Sequence, residues 1–226
     1  MSSKSFSAAC NANFTVILAN GTFPTSPRAL EYLYSADMLV CCDGAAQNAV
    51  LYGRTPDYIV GDLDSLSGEL QTRFSDRIVR VSEQETNDLT KAFRFCRARN
   101  WDNLVILGAT GKREDHALGN LARFVEFAKE THEIQLVTDD GVFKVATAPG
   151  AFRSQPGQQV SIFSLHPDQR VSSRGLKYPL DNLRLDSWYV ATLNEALGKE
   201  FELAFDAELS PLLLFFADLK ESERFA

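Results

Sequence analysis

Apolar and polar positions in the first 140 residues alternate between two textures. Short β-rich runs occupy residues 14–19, 38–42, 58–60, 78–81, 104–107 and 134–138. Between several of them lie segments with helical spacing, at 27–34, 45–52, 86–99 and 115–129. Ser26-Pro27 reads as an N-cap followed by proline at the first helical position. In segment 86–99, Leu89, Ala92, Phe93 and Cys96 share one face. Strands that alternate with amphipathic helices predict an α/β unit: a mostly parallel sheet with helices on both faces. After Asp139-Asp140-Gly141 the helical period fades. Runs at 142–146, 159–164, 183–190, 201–205 and 212–216 are separated by Pro149-Gly150, Pro156-Gly157 and Asp181-Asn182. That spacing predicts a smaller all-β unit, a sandwich or barrel. The expected division is residues 1–140 and 141–226.

Composition narrows the functional classes. The 226 residues are 45% hydrophobic and 23% charged, with a formal charge of −7, ordinary values for a globular protein. An acidic balance gives no reason to expect a DNA or RNA partner, although a nucleotide needs only a few local donors and cations. Residues 1–12 are polar, with no apolar core of a secretory signal. The apolar run 212–217 is far too short to span a membrane. Cys10, Cys41, Cys42 and Cys96 show no C-x-x-C spacing, and the adjacent Cys41 and Cys42 read as small core residues. A reducing, cytoplasmic compartment is expected.

Four polar clusters stand at or beyond the ends of the expected strands: Asp43-Gly44, Gly61-Asp62-Leu63-Asp64-Ser65, Asn87-Asp88, and the stretch 108–116. In open α/β sheets, ligands bind in the crevice outside those strand ends. Asp62 and Asp64, two apart, point the same way if the chain stays extended. Their mutual repulsion is relieved by a hard divalent cation such as Mg²⁺. Asp88 can complete the metal site, with Lys91 three residues later free to meet a phosphate. Gly108-Ala109-Thr110-Gly111-Lys112-Arg113 has the composition of a phosphate loop leading into a helix N-terminus. It is not a Walker A loop, because the G-x-x-x-x-G-K-[ST] spacing is absent. Each cluster alone reads more readily as a turn or a helix cap.

Taken together these motifs resemble the thiamine pyrophosphokinase family. The family pattern has Asp-Gly after the second strand, Gly-Asp-x-Asp-Ser, Asp-x-Thr-Asp-x-x-Lys, and Gly-x-x-Gly-Gly-Arg-x-Asp-His. This chain has Asp43-Gly44, 61–65, Glu85-Thr86-Asn87-Asp88-Leu89-Thr90-Lys91, and 108–116 ending in Asp115-His116. Residues 175–180 and Asn194-Glu195 resemble motifs of the family's β-rich second half. The chain departs from the pattern at Glu85, Asn87, Lys112 and Leu193, where Asp, Thr, Gly and Ser are usual.

The resemblance implies an α/β nucleotide-binding domain, a β-sandwich domain, and a homodimer with active sites between subunits. It implies transfer of pyrophosphate from ATP to thiamine, giving thiamine diphosphate and AMP. Asp62, Asp64 and Asp88 are then expected to hold Mg²⁺. Asp43 is expected as a further ligand or as the acceptor of the substrate proton. Lys91 and Arg113 would clamp phosphates on the loop of Gly108 and Gly111, with Asp115 and His116 ordering loop and nucleotide. Gln84 and Asn194 are the candidates for thiamine. Two other readings stay open from sequence: an aspartate-based phosphatase with Asp62 as nucleophile, and a non-catalytic thiamine or nucleotide sensor.

Overall fold

The computed structural model describes residues 13–131 and 133–219; the polar N-terminus and Cys10 lie outside them. The described residues form fourteen strands and five helices. In the first half these are β1 (Thr15–Leu18), α1 (Pro27–Ser35), β2 (Met38–Cys42), α2 (Ala45–Leu51), β3 (Tyr58–Gly61), α3 (Gly68–Arg73), β4 (Ile78–Arg80), α4 (Asp88–Arg97), β5 (Asn103–Leu107), α5 (Glu114–Phe127) and β6 (Glu133–Val137). Strands β1 to β6 lie in the order β6-β5-β1-β2-β3-β4, and every neighbouring pair is parallel.

Alternation along the central strands builds a core on each face. Val16 and Leu18 of β1, with Leu39 and Cys41 of β2, pack against Ala29 and Leu33 of α1, Ala46 of α2 and Leu70 of α3. Ile17, Val40 and Cys42 face the other way, onto Leu89, Ala92, Phe93 and Cys96 of α4 and Phe124 and Phe127 of α5. The described cysteines are free and buried. Burial pushes all three thiols up, Cys96 to about 12, so they behave as small core residues.

The second half contains β7 (Gly141–Ala146), β8 (Gly150–Arg153), β9 (Gln159–Ser164), β10 (Arg170–Arg174), β11 (Leu183–Arg184), β12 (Asn194–Glu195), β13 (Glu200–Phe205) and β14 (Leu212–Ala217). Four of these extend the first sheet, because β7 pairs antiparallel with β6. The result is one ten-stranded sheet, β12-β9-β14-β7-β6-β5-β1-β2-β3-β4. A second sheet, β11-β10-β13-β8, closes over its far end. Val160, Ile162, Leu212 and Leu214 meet Val171, Phe201 and Leu203 between the two layers. The fold is thus a mixed α/β sheet with helices plus an antiparallel β-sheet domain, as the sequence pattern predicts. The run 183–190 departs from expectation: only Leu183 and Arg184 are strand, and Trp188 and Tyr189 are exposed in a turn.

Candidate active site

The exits of β1, β2, β3 and β5 lie side by side at one edge of the parallel sheet. Asp43 leaves β2 in the left-handed region, at φ +38°, a conformation that Asp tolerates better than most residues. Its side chain is buried, with the residue 2% exposed. Oδ2 accepts the Ser65 backbone N–H at 2.9 Å. Oδ1 is buried and finds no hydrogen-bond partner among the described residues. Burial pushes the Asp43 carboxyl up, against the Ser65 hydrogen bond, and the charges of Asp88, Asp62 and Asp64 push the same way.

Gly61 explains how the acids come together. A Cβ there would lie 2.9 Å from Asp43 Cβ and 3.3 Å from Asp88 Oδ1. Carboxylate oxygens of Asp43, Asp62 and Asp88 all lie within 4.8 Å of one another. Asp64 stands outside this group. The chain does not stay extended after Asp62: Leu63 turns to φ +75° and buries its side chain in the core beneath α2 and α3. Asp64 is thereby left exposed, its N–H 3.3 Å from Asp62 Oδ1.

Lys91 is the counter-charge. Its side chain is only 2% exposed and lies 3.0 Å from Asp88 Oδ1 and 3.6 Å from Asp62 Oδ2. Burial works against its charge, but the Asp88 hydrogen bond and the negative charges of Asp88 and Asp62 outweigh it and hold its pKa above the usual lysine value. Gln84 Nε2 donates to Asp62 Oδ2 at 3.0 Å. That bond and the Asp64 N–H keep the Asp62 carboxyl below the usual range. Three carboxylates facing one ammonium leave excess negative charge around the buried, unpartnered Oδ1. Hard oxygen donors in that state suit a small divalent cation such as Mg²⁺.

The glycine loop after β5 is stitched to the exit of β1. Gly21 N–H donates to Gly108 O at 2.7 Å and Thr22 N–H to Thr110 O at 2.9 Å. Gly111, at φ +73°, passes so close that a Cβ would fall 2.1 Å from Thr22 Oγ1. Lys112 also holds a left-handed backbone, φ +61°. Its ammonium reaches back to Asn20 O at 2.9 Å and Oδ1 at 3.2 Å. A cleft of about 250 Å³ opens between Thr22, Gly108, Gly111, Thr138 and Asp139. Arg113 and Asp115, both exposed, form a two-pronged ion pair at 3.0 and 2.6 Å. His116 is exposed in the first turn of α5. Ser65 and Thr22 contribute through backbone N–H groups and close packing, which side-chain motifs do not reveal, and Asn20 through both its carbonyl and its side-chain oxygen.

The catalytic-domain model of thiamin pyrophosphokinase matches residues 29–136, and its substrate-binding-domain model matches residues 141–210. The chain belongs to the thiamin pyrophosphokinase family. It carries that family's catalytic and substrate-binding domains, and its activity is that of a thiamine diphosphokinase. Among its relatives, Thiamin pyrophosphokinase 1 of Caenorhabditis elegans is 28% identical over 81% of this chain and 82% of its own. Thiamine pyrophosphokinase 3 of Oryza sativa subsp. japonica is 30% identical over 76% and 74%. The fold matches the solved thiamin pyrophosphokinase of Candida albicans with a TM-score of 0.75, covering 91% of this chain and 89% of that one at 17% identity.

Within this family member the two thiamine candidates are far apart. Gln84 joins the acid cluster beyond β3. Asn194 lies on β12, and eight strand spacings separate β12 from β3 in the sheet order, roughly 38 Å along the sheet at ~4.8 Å per strand. Asn194 is buried. It accepts the N–H groups of Tyr178 (3.1 Å) and Glu195 (2.8 Å) and donates to Tyr178 O (2.7 Å). It braces the segment that carries the exposed ring of Tyr178.

Proposed function

We propose that the acid cluster holds Mg²⁺ and that the glycine loop holds the phosphates of ATP for a single in-line displacement. The thiamine hydroxyl oxygen bonds to the β-phosphorus as its proton passes to solvent water. The bond from that phosphorus to the α-phosphate bridging oxygen breaks, and AMP departs with the electron pair. The observation that carries this reading is the approach of Asp43, Asp62 and Asp88 oxygens within 4.8 Å around a buried oxygen lacking a partner.

Asp43, Asp62 and Asp88 are the proposed ligands, with Asp64 acting from the solvent side through water. A bound divalent cation neutralises phosphate charge and so favours attack by a hydroxyl. Lys91 keeps Asp62 and Asp88 together. The N–H groups of Gly108 to Gly111, the N-terminus of α5 and the exposed charges of Lys112 and Arg113 receive the triphosphate. Asp115 orients Arg113, and His116 lies beside that pair. Residues 1–140 serve as the nucleotide unit and 141–226 as the thiamine unit, in a reducing, cytoplasmic setting that suits the buried thiols.

Gln84 and Asn194 can address one thiamine only if two chains supply them, which favours a homodimer. Tyr178, Trp188, Tyr189, Leu193 and Leu197, near Asn194 in sequence, are 48–79% exposed, a group that a second copy would cover. The test is product analysis with ATP, Mg²⁺ and thiamine. AMP and thiamine diphosphate should appear in equal amounts. ADP in place of AMP would overturn attack at the β-phosphorus, and a monomer by sedimentation would overturn the shared site.

A further inference from the structure

Two asparagine side chains, exposed Asn87 and half-buried Asn120, connect the acid cluster to the glycine loop. Asn87 is the N-cap of α4. Its Oδ1 accepts Thr90 N–H at 3.0 Å and Thr90 Oγ1–H at 2.7 Å. Its Nδ2 donates to Asn120 Oδ1 at 2.9 Å. Asn120, on α5, donates through Nδ2 to Ala109 O at 2.8 Å. Both amide orientations follow from main-chain partners: the Thr90 N–H can only donate and the Ala109 carbonyl can only accept. The chain therefore runs in one direction, from the residue before Asp88 to the residue after Gly108. Arg123 Nε, one turn along α5, sits 3.4 Å from Thr90 Oγ1 and backs the same junction.

We propose that Asn87 and Asn120 form a positioning relay that fixes the start of α4, and so Asp88, relative to the glycine loop. The relay rests on the reading that Asp88 serves the metal and the loop serves the phosphates. α4 packs mainly on β2 and β3 while the loop follows β5, and the two asparagines add a direct polar tie between the start of α4 and the loop. A metal·nucleotide complex held by both elements would depend on the spacing between them for its binding. Position 87 is where the family pattern has Thr. Thr would keep the cap, but its hydroxyl is too short to offer the second amide arm.

Asn87→Thr isolates the relay, since it preserves helix capping and removes only the bond to Asn120. In steady-state assays its KM for ATP and the Mg²⁺ concentration for half-maximal rate should rise together, each about fivefold, as expected for one lost hydrogen bond. The KM for thiamine should hold and kcat should stay within about twofold. Asn120→Ser should give the same pattern from the other end. The double variant should be no worse than the poorer single one, because a relay is broken once. Unchanged ATP and Mg²⁺ requirements in both single variants, a parallel rise in thiamine KM, or multiplying effects in the double variant would each overturn the relay. Asp88→Asn in the same assay separates the two levels. Its inactivity beside wild-type behaviour of Asn87→Thr sinks the relay alone, whereas full activity of Asp88→Asn sinks the site reading and the relay with it.

Discussion

Lys91 Nζ donates to Asp88 Oδ1 at 3.0 Å, one helical turn apart, from a side chain that is almost wholly buried. The pair turns the first turn of α4 into part of the acid cluster and not a free phosphate clamp, as the sequence alone suggests. Lys91→Met leaves Asp62 and Asp88 to repel each other. The fold should lose about 2 kcal/mol, below the usual range for a fully buried pair because both acids are partly exposed. Thermal unfolding checks this, and the loss should shrink when Mg²⁺ is added.

Asp43→Asn, Asp62→Asn and Asp88→Asn should each lower kcat by roughly a thousandfold while the protein stays folded, the scale of one lost charge-stabilising group. Asp64→Asn should cost clearly less, since its carboxylate stands outside the cluster of three. Equal losses at all four positions would place Asp64 on the metal directly.

Mg²⁺ should raise the melting temperature, because a ligand that binds only the folded state stabilises it; ~100-fold saturation corresponds to about 2.7 kcal/mol. Asp43→Asn should abolish that shift. Without metal it should melt higher than the wild type at neutral pH, since it removes a buried charge whose carboxyl is already pushed up. A lower melting point would mean that Asp43 is compensated in some other way.

Gly61→Ala tests the close approach of the acids. The new methyl would press on Asp43 Cβ at 2.9 Å, backbone-anchored and unable to swing away. Activity should fall about tenfold or more through misplacement, with a stability loss of about 1–3 kcal/mol from overpacking. Circular dichroism together with the rate would separate the two effects.

Asp139 ties the end of β6 to the start of α1. Its carboxylate accepts Thr25 N–H at 2.9 Å, Ser26 N–H at 2.8 Å and Thr25 Oγ1–H at 2.6 Å. Burial raises the Asp139 pKa, but these hydrogen bonds outweigh it and hold the carboxyl below its ordinary value. A depressed folded pKa means that the folded state binds this proton less tightly than the unfolded one. The stabilisation is therefore complete above about pH 4, the unfolded carboxylate range, and is lost as pH falls through the folded pKa. Asp139→Asn should cost about 1 kcal/mol at pH 7, given its exposure. The difference from wild type should vanish in melts at strongly acidic pH.

The parallel half of the fold was readable because its signals are local. β2 matches the expected run 38–42, and the Ser26 cap with Pro27 opens α1 as expected. Six-residue α3 escaped the periodicity argument because Leu70 is its only buried residue. β8, β10 and β12 escaped for a different reason: they are polar or very short, and partners fix them, as Arg174 opposite Glu202 on β13 illustrates. The candidate acids were legible as residue types, but their grouping was not. Which carboxylates converge depends on the left-handed turns at Asp43 and Leu63; Asp-Gly hints at the first, but a leucine does not announce the second.

The pairing of β6 with β7, at Leu136↔Phe143 and Val137↔Val142, limits how this enzyme can move. A hinge between the two halves would have to tear main-chain hydrogen bonds and part Leu213 and Phe143 from the core beneath α4 and α5. The halves cannot clap shut over a substrate as hinged lobes do. Whatever shields the phosphates from water during transfer must come from loops at the strand exits or from another chain, not from a swing of domains.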